Sequence, residues 1–233
     1  MFLMENQEQS MSNLEVRIPA GRQTLDGTLS IPANAQGVVL FAHGSGSSRH
    51  SPRNRFVASV LQQAGLATLL LDLLSPDEES VDVRTAELRF NIGLLAERLL
   101  QATDWLVRQP QIEKLQFGYF GASTGAAAAL AAAADAPRHA AAVVSRGGRP
   151  DLAGPALVRV QAPTLLIVGG ADHVVINLNR EALEQLRCEK RLEIVPGATH
   201  LFEEPGALEQ VARLAREWFQ LHLVPRRDAS HAA

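Results

Sequence analysis

The sequence of 233 residues contains a single cysteine, Cys188. No disulfide can therefore form within the chain, and a zinc site built on several cysteines is excluded. The sequence also lacks an excess of charge of one sign, because 22 Lys and Arg residues stand against 25 Asp and Glu residues. Balanced charge gives no general attraction to phosphate backbones or anionic lipid. We expect neither nucleic acid nor a membrane as a partner.

Long apolar runs are missing as well. The longest covers residues 126–134, is mostly alanine, and is shorter than the roughly 20 residues that a membrane-spanning helix needs. The first residues, Met1 to Glu8, have neither the basic region nor the long apolar region of a signal peptide. With 46% hydrophobic and 20% charged residues, the composition is that of an ordinary globular protein. We expect a cytoplasmic location.

Two hydrophobic patterns follow each other along the chain. Residues 14–18 and 24–31 alternate apolar and polar side chains around a turn at 19–21, which predicts an antiparallel hairpin at a sheet edge. From Val38 onward, short continuous apolar runs alternate with stretches of helical spacing, which is typical of strands buried on both faces. The predicted strands are 38–42, 67–72, 115–120, 141–145, 164–168 and 192–195, and the predicted helices are 53–64, 83–108, 124–134, 180–186 and 207–223.

This alternation predicts a single α/β domain over residues 14–223. The sheet should be doubly wound and mostly parallel, with about eight strands when the N-terminal hairpin is counted. No stretch inside this range is rich enough in Gly, Ser or Pro to divide it. Residues 1–13 and 224–233 lack apolar periodicity, and we expect both ends to be loosely ordered.

A candidate nucleophile follows the third of the buried strands. Residues 121–125, Gly-Ala-Ser-Thr-Gly, fit the G-x-S-x-G nucleophile elbow and lie between a predicted strand and a predicted helix. A serine hydroxyl needs a base to remove its proton, and the base needs a carboxylate to orient it. Asp172 and His200 follow the fifth and sixth runs, so their side chains should lie at the same sheet edge as Ser123. We expect Ser123, His200 and Asp172 to form a catalytic triad.

Other interpretations of these residues exist. Asp72 and Asp151 are alternative carboxylates, and Asp172 could serve only as a turn residue or helix cap. His173, next to Asp172, is an alternative to His200 as the base. The order Ser, Asp, His along the chain favours Ser123, Asp172 and His200.

The oxyanion of an acyl-transfer reaction needs two preorganised donors. The backbone N–H of Thr124, which follows the nucleophile, is the first. The loop after the first parallel strand, His43-Gly-Ser-Gly46, supplies the second, for which we choose the N–H of Ser45, with Gly44 as the alternative. This loop resembles a phosphate-binding glycine loop, but neither G-K-[ST] nor G-x-G-x-x-G is present, so nucleotide binding is not expected.

Further substrate contacts are predicted at the same edge of the sheet. His43, Gly44, Arg49 and Arg146 are the candidates, and two arginines could hold a carboxylate and so select an anionic ester. The alternative is that these arginines pair with local acids such as Glu78, Glu79 or Asp151. Arg53, Arg149 and His50 lie in the same loops. No metal ion or cofactor is expected.

Together, the His43–Gly46 loop, the elbow at Ser123, Gly-Ala-Asp172 and Gly-Ala-Thr-His200 resemble the α/β-hydrolase superfamily over about residues 14–223. The compact size is similar to its dienelactone-hydrolase-like branch. Dienelactone hydrolases proper use a cysteine nucleophile, whereas Ser123 stands at this elbow and Cys188 is expected in a helix far from it, so dienelactone itself is not expected as the substrate. Members with Asp at the elbow, the epoxide hydrolases and haloalkane dehalogenases, are also disfavoured.

The resemblance implies a serine hydrolase that forms an acyl-enzyme. Many members insert a helical cap between the strands that here end near Ser145 and begin near Thr164, but this interval has room for one short helix only. We therefore expect an open site, no large cap domain, and small-molecule carboxylic esters of small to medium acyl groups as substrates. An acyltransferase, a thioesterase or a perhydrolase with the same triad is the alternative, and a non-catalytic binding protein is less favoured. Both a monomer and a homodimer remain open.

Overall fold

The computed structural model describes residues 11–224, and the predicted loose ends at 1–10 and 225–233 lie outside this range. Eight strands are present: β1 Met11–Ala20, β2 Gln23–Pro32, β3 Val38–Ala42, β4 Ala67–Leu71, β5 Phe117–Ala122, β6 Ala142–Arg146, β7 Thr164–Gly169 and β8 Lys190–Val195. The α-helices are α1 Pro52–Gln63, α2 Pro76–Thr85, α3 Ile92–Leu106, α4 Thr124–Asp135, α5 His173–Gln185 and α6 Ala207–Leu223. Two 3-10 segments cover Leu88–Phe90 and Pro150–Arg159.

The strands form one sheet in the order β1-β2-β4-β3-β5-β6-β7-β8. β1 and β2 pair as an antiparallel hairpin, β2 is antiparallel to β4, and all other neighbours are parallel. The predicted fold is therefore confirmed. β1 begins at Met11, so residues 11–13 belong to the hairpin rather than to a loose end.

Helices cover the sheet on both faces. α3 and α4 pack on one face around Tyr119, and α1 and α6 pack on the other around Phe41 and Phe120. Residues of α4 from Thr124 to Ala134 are all buried, because their small side chains let the helix approach the sheet closely. Because β3, β5, β6 and β7 are parallel neighbours, their carboxyl ends meet at one edge of the sheet.

The single helix predicted over 83–108 is wrong. α2 begins earlier, where Ser75 and Glu78 form a capping box, and it ends at Thr85. After the 3-10 turn, Asn91 accepts a hydrogen bond from the Leu94 N–H and starts α3 as a separate helix. Capping hydrogen bonds thus produce two helices in a segment that hydrophobic spacing alone predicts as one helix.

The boundaries of α5 also differ from the prediction. α5 begins at His173, directly after Asp172, rather than at residue 180. It ends at Gln185, because Leu186 adopts an extended backbone, and half-buried Cys188 therefore lies in the loop before β8 rather than in a helix.

The interval between β6 and β7 holds only the 3-10 segment Pro150–Arg159, which packs against α4. Within residues 11–224 no cap domain covers the carboxyl edge of the sheet, as predicted. In the same range, no helix combines the length and the apolar character that crossing a bilayer requires.

Candidate functional site

Ser123 connects β5 to α4 in a strained conformation. Its φ of 51° and ψ of −121° lie outside the regions that L-residues favour. Three backbone hydrogen bonds hold it: the Ser123 N–H donates to the Arg146 carbonyl at 3.2 Å, and the Ser123 carbonyl accepts from Ala126 and Arg149, each at 3.1 Å. Strain of this kind persists where the surroundings enforce it, and it presents the side chain at the sheet edge.

The glycines of the motif have a steric cause. A Cβ on Gly121 would lie 2.6 Å from the Ala126 nitrogen, and a Cβ on Gly125 would lie 2.5 Å from the His43 carbonyl oxygen. At Gly44 a Cβ would come 3.1 Å from the Ser123 Cβ. The elbow and the loop after β3 therefore approach each other at distances that only glycine allows.

His200 and Asp172 meet in the structure. The Nδ1 of His200 lies 2.7 Å from the Asp172 Oδ2. Because an ionised carboxylate can only accept, Nδ1 carries the hydrogen and Nε2 is left as the basic nitrogen. His173, the alternative base, points out of the protein at the start of α5 as an exposed residue.

His200 also lies beside the end of β6, the strand whose last residue, Arg146, accepts the Ser123 N–H. A Cβ on Gly147 would be 3.6 Å from the His200 Cε1 and 3.1 Å from its carbonyl oxygen. Gly147 directly follows Arg146, whose carbonyl accepts the Ser123 N–H. Ser123 and His200 thus border the same two residues at the end of β6.

The two competing acids are engaged elsewhere. Asp72 accepts the Arg49 backbone N–H at 2.6 Å and also pairs with the Arg49 guanidinium. Asp151 accepts two hydrogen bonds from the Arg149 guanidinium, at 2.9 and 2.7 Å. Of the three carboxylates considered from the sequence, Asp172 is the one bonded to a histidine.

The Ser45 N–H, the predicted second oxyanion donor, already has a partner. It donates to the Thr124 Oγ1 at 2.9 Å. Thr124 is 4% exposed whereas Ser45 is exposed, so this bond is partly buried. The elbow motif predicts a role only for the backbone N–H of Thr124 and not for its hydroxyl, because no local pattern reveals a bond between residues 79 positions apart.

His43 connects the loop after β3 to the loop after β4. Its Nδ1 lies 2.9 Å from the Gly44 carbonyl, and its Nε2 accepts the Leu73 N–H at 3.1 Å. Burial lowers the pKa of His43 below its usual value and outweighs the opposing Gly44 hydrogen bond and the Asp72 charge. Both ring nitrogens are used within the protein, so the ring is not free for the substrate contact predicted for it.

The candidate arginines divide into paired and unpaired groups. Arg49 pairs with Asp72 and Arg149 with Asp151, in agreement with the local-acid alternative. Arg53 lies 3.4 Å from the Glu203 carboxylate.

Arg146 is 7% exposed, and its Nε and Nη1 have no hydrogen-bond partner among residues 11–224. Burial, and next the positive charge of Arg53, lower the pKa of Arg146 to about 10.

A cavity of about 490 Å³ lies between the loops that follow β3 and β4, and Ser123, Asp172 and His200 do not line it. Residues 46–52 form one wall, and Asp72 and Glu79 contribute to the other. The His200 side chain keeps 39% of its surface exposed. No group of three or more His, Cys, Asp or Glu side chains within residues 11–224 is arranged to hold a metal ion.

Comparison with known proteins places this geometry in a family. The model of the dienelactone hydrolase family matches residues 25–222. The crystal structure of dienelactone hydrolase from Anabaena variabilis is 63% identical, with a TM-score of 0.90 over 91% of this chain and 99% of that one. Est1E from Butyrivibrio proteoclasticus is 16% identical, with a TM-score of 0.75 over 90% of this chain and 98% of that one, and shows the shared fold.

A relative from Mycobacterium tuberculosis is longer than the present chain. It is provisionally named a phosphoribosyl transferase and is 59% identical over 209 residues, which are 90% of this chain and 46% of that protein. The chain therefore spans about half the length of this relative, and the name describes the longer protein. The family match covers most of the present chain and includes the loops that carry Ser123, Asp172 and His200. The chain belongs to the dienelactone hydrolase family and has its α/β-hydrolase fold.

Proposed function

We propose that the protein is a serine hydrolase that cleaves small-molecule carboxylic esters of small to medium acyl groups. The observation that carries this proposal is the 2.7 Å contact between His200 Nδ1 and Asp172 Oδ2, at the sheet edge where the strained elbow presents Ser123. Membership in a hydrolase family supports hydrolytic chemistry. The absence of a cap domain over this edge in residues 11–224 supports an open site.

The reaction proceeds through an acyl-enzyme. His200 Nε2 removes the proton of the Ser123 hydroxyl, and the Ser123 oxygen attacks the ester carbonyl. Asp172 stabilises the imidazolium that forms. The tetrahedral intermediate then expels the alcohol, which takes the proton from His200. Water, activated by the same histidine, attacks the acyl-enzyme and releases the acid.

The oxyanion is held by the elbow and the loop after β3. The Thr124 N–H, at the start of α4, is one donor. The Ser45 N–H, which donates to the Thr124 Oγ1, is the other. When the oxyanion forms, Ser45 shares its hydrogen between the two acceptors, and the Thr124 hydroxyl can donate its own hydrogen.

Active-site labelling tests this proposal. A fluorophosphonate probe followed by mass spectrometry should modify Ser123 in the wild type, and Ser123→Ala should remain unlabelled. The Ser47→Ala variant, changed in the neighbouring loop, should label like the wild type. Hydrolysis of p-nitrophenyl esters from acetate to decanoate should be fastest for the shorter chains and should fall by about 10⁴-fold or more in Ser123→Ala. A wild type that neither labels nor hydrolyses would support the non-catalytic alternative.

The same triad could pass the acyl group to an acceptor other than water. Adding hydroxylamine, a thiol or hydrogen peroxide to the hydrolysis reaction separates the alternatives. Under the hydrolase proposal, the free acid remains the main product. A dominant hydroxamate, thioester or peracid would instead favour acyl transfer or perhydrolysis.

A further inference from the structure

Asn179 is a buried polar residue in the middle of α5, the helix that begins directly after Asp172. It is 0% exposed, and its Nδ2 donates to the Gly148 carbonyl at 2.9 Å and to the Val175 carbonyl at 2.8 Å. Asparagine is a poor helix former, and burying its amide gives no packing advantage over a leucine of similar size. What asparagine contributes at this position is therefore its pair of hydrogen bonds.

The bond to Gly148 leads to the nucleophile elbow. The Gly148 carbonyl and the Arg149 N–H belong to one peptide group, and this N–H donates to the Ser123 carbonyl at 3.1 Å. The carbonyl and the N–H of a trans peptide point in opposite directions. The peptide group between Gly148 and Arg149 therefore accepts a hydrogen bond from Asn179 on one side and donates one to Ser123 on the other.

A second peptide group continues this series to the oxyanion. The Ser123 carbonyl and the Thr124 N–H belong to the peptide group that joins the nucleophile to α4. The Thr124 N–H is one of the two oxyanion donors of the proposed mechanism. Hydrogen bonds in series polarise one another, so a donor at one end of the series strengthens the donor at the other end.

We propose that Asn179 is a positioning residue, which orients and polarises the Thr124 N–H through these two peptide groups. The relay consists of the Asn179 amide, the Gly148–Arg149 peptide group and the Ser123–Thr124 peptide group. Asn179 itself acts on the substrate only through the relay. This inference rests on the proposed function, because the Thr124 N–H stabilises charge only when an oxyanion forms.

Steady-state kinetics test the relay. Asn179→Leu keeps the approximate size of the side chain and removes both hydrogen bonds. With p-nitrophenyl acetate, kcat and kcat/KM should both fall by about tenfold while KM changes little, because the Thr124 N–H remains but is held and polarised less well. Rates are expressed per active site, counted with the fluorophosphonate probe, so that unfolded protein does not contribute. An unchanged kcat would overturn the proposal.

Thr103→Val is the matched control. Thr103 on α3 is 0% exposed, and its Oγ1 bonds to the Leu99 carbonyl and to the Tyr119 hydroxyl, each at 2.8 Å. The variant loses buried hydrogen bonds outside the relay, so it should lose stability and keep the wild-type kcat. An equal fall of kcat in Thr103→Val and Asn179→Leu would show a general effect of lost stability and would overturn the relay.

A transition-state analogue measures oxyanion stabilisation directly. The Ser123 Oγ adds to the carbonyl carbon of 1,1,1-trifluorobutan-2-one, the serine proton passes to His200, and the carbonyl oxygen becomes an oxyanion. In Asn179→Leu the inhibition constant should rise by the factor by which kcat/KM falls. The pKa of the hemiketal hydroxyl, followed by ¹⁹F NMR, should be higher than in the wild type. A lower kcat with an unchanged inhibition constant would overturn the role assigned to Asn179.

These measurements separate failure of the relay from failure of the hydrolase proposal. If the wild type is not labelled by the fluorophosphonate probe and does not bind the trifluoromethyl ketone, the hydrolase proposal fails and the relay fails with it. If the wild type does both and Asn179→Leu behaves identically, only the relay fails. If Asn179→Leu does not fold, Asn179→Ala, which adds no bulk, is measured in the same way and decides.

Discussion

At the scale of single residues, His43 makes stability depend on pH. The folded protein holds this ring neutral, because burial lowers its pKa from the ordinary 6.5 and Nε2 must accept the Leu73 N–H. A lowered pKa means that the unfolded chain binds the proton more readily. The contribution of His43 to stability is therefore complete above about pH 6.5 and is lost as the pH falls toward the folded-state value.

We predict that the free energy of unfolding of the wild type falls by up to about 1.4 kcal/mol per pH unit below pH 6.5 because of His43. Urea unfolding at pH 7.5, 6.5 and 5.5 measures this slope. His43→Gln should be less stable at pH 7.5 but should lack this part of the pH dependence. The same slope in both proteins would show that other groups cause it.

The second prediction at the scale of residues concerns the hydroxyl of Thr124. Thr124→Val keeps the shape but removes the acceptor of the Ser45 N–H. We expect kcat for a p-nitrophenyl ester to fall by roughly tenfold to a hundredfold with little change in KM, less than the loss of a whole oxyanion donor, because the backbone N–H of residue 124 remains.

Thr124→Ser is the matched control, since it restores the hydroxyl without the methyl group. It should recover most of the activity that Thr124→Val loses. If the valine variant is as active as the wild type, the hydroxyl only fills space at this position.

At the scale of elements, the close approach of α4 to the loop after β3 depends on Gly125. A Cβ there would lie 2.5 Å from the His43 carbonyl oxygen, and backbone on both sides cannot yield easily. We predict that Gly125→Ala loses about 3 kcal/mol or more of stability, or fails to fold, since it combines overpacking with backbone displacement. Thermal and urea unfolding measure the effect.

Unlike Gly125, Gly93 in α3 has room for a side chain. It lies in the first turn of α3, where a Cβ would meet only the Asn91 Oδ1 at 3.7 Å. Gly93→Ala should therefore stabilise the protein by about 0.4–1 kcal/mol, because alanine has less conformational freedom to lose on folding. A destabilised Gly93→Ala would mean that space alone does not explain the difference between the two glycines.

At the scale of the whole molecule, both layers of helices pack on one sheet and should unfold together. Trp105 on α3 packs against the core of one face, and Trp218 on α6 is buried in the core of the other. We predict that Trp105→Phe and Trp218→Phe, each with one remaining tryptophan, show fluorescence transitions in urea that coincide with their own far-ultraviolet circular dichroism. Separate transitions in either variant would indicate two independently folding units.

The sequence by itself determined the features that depend on local chemistry. Continuous apolar runs identified the buried strands, and the rule that parallel strands present ligands at their carboxyl ends selected Asp172 and His200, which the structure joins at 2.7 Å. The glycines flanking Ser123 are required by close backbone contacts that the motif itself encodes. Helix boundaries were predicted less well, because α2 begins at the Ser75 cap, ahead of the predicted start, and the cap at Asn91 interrupts a hydrophobic pattern that continues through it.

Only the tertiary structure decided which polar groups find partners. Arg49 bonds to Asp72 across 23 residues and Arg53 reaches Glu203 across 150, so no spacing along the chain distinguishes these paired arginines from Arg146. The hydrogen bond from Ser45 to Thr124 likewise joins two loops that meet only when β3 and β5 are neighbours in the sheet. Partners of buried polar groups depend on which strands lie side by side, and that order is a property of the folded sheet.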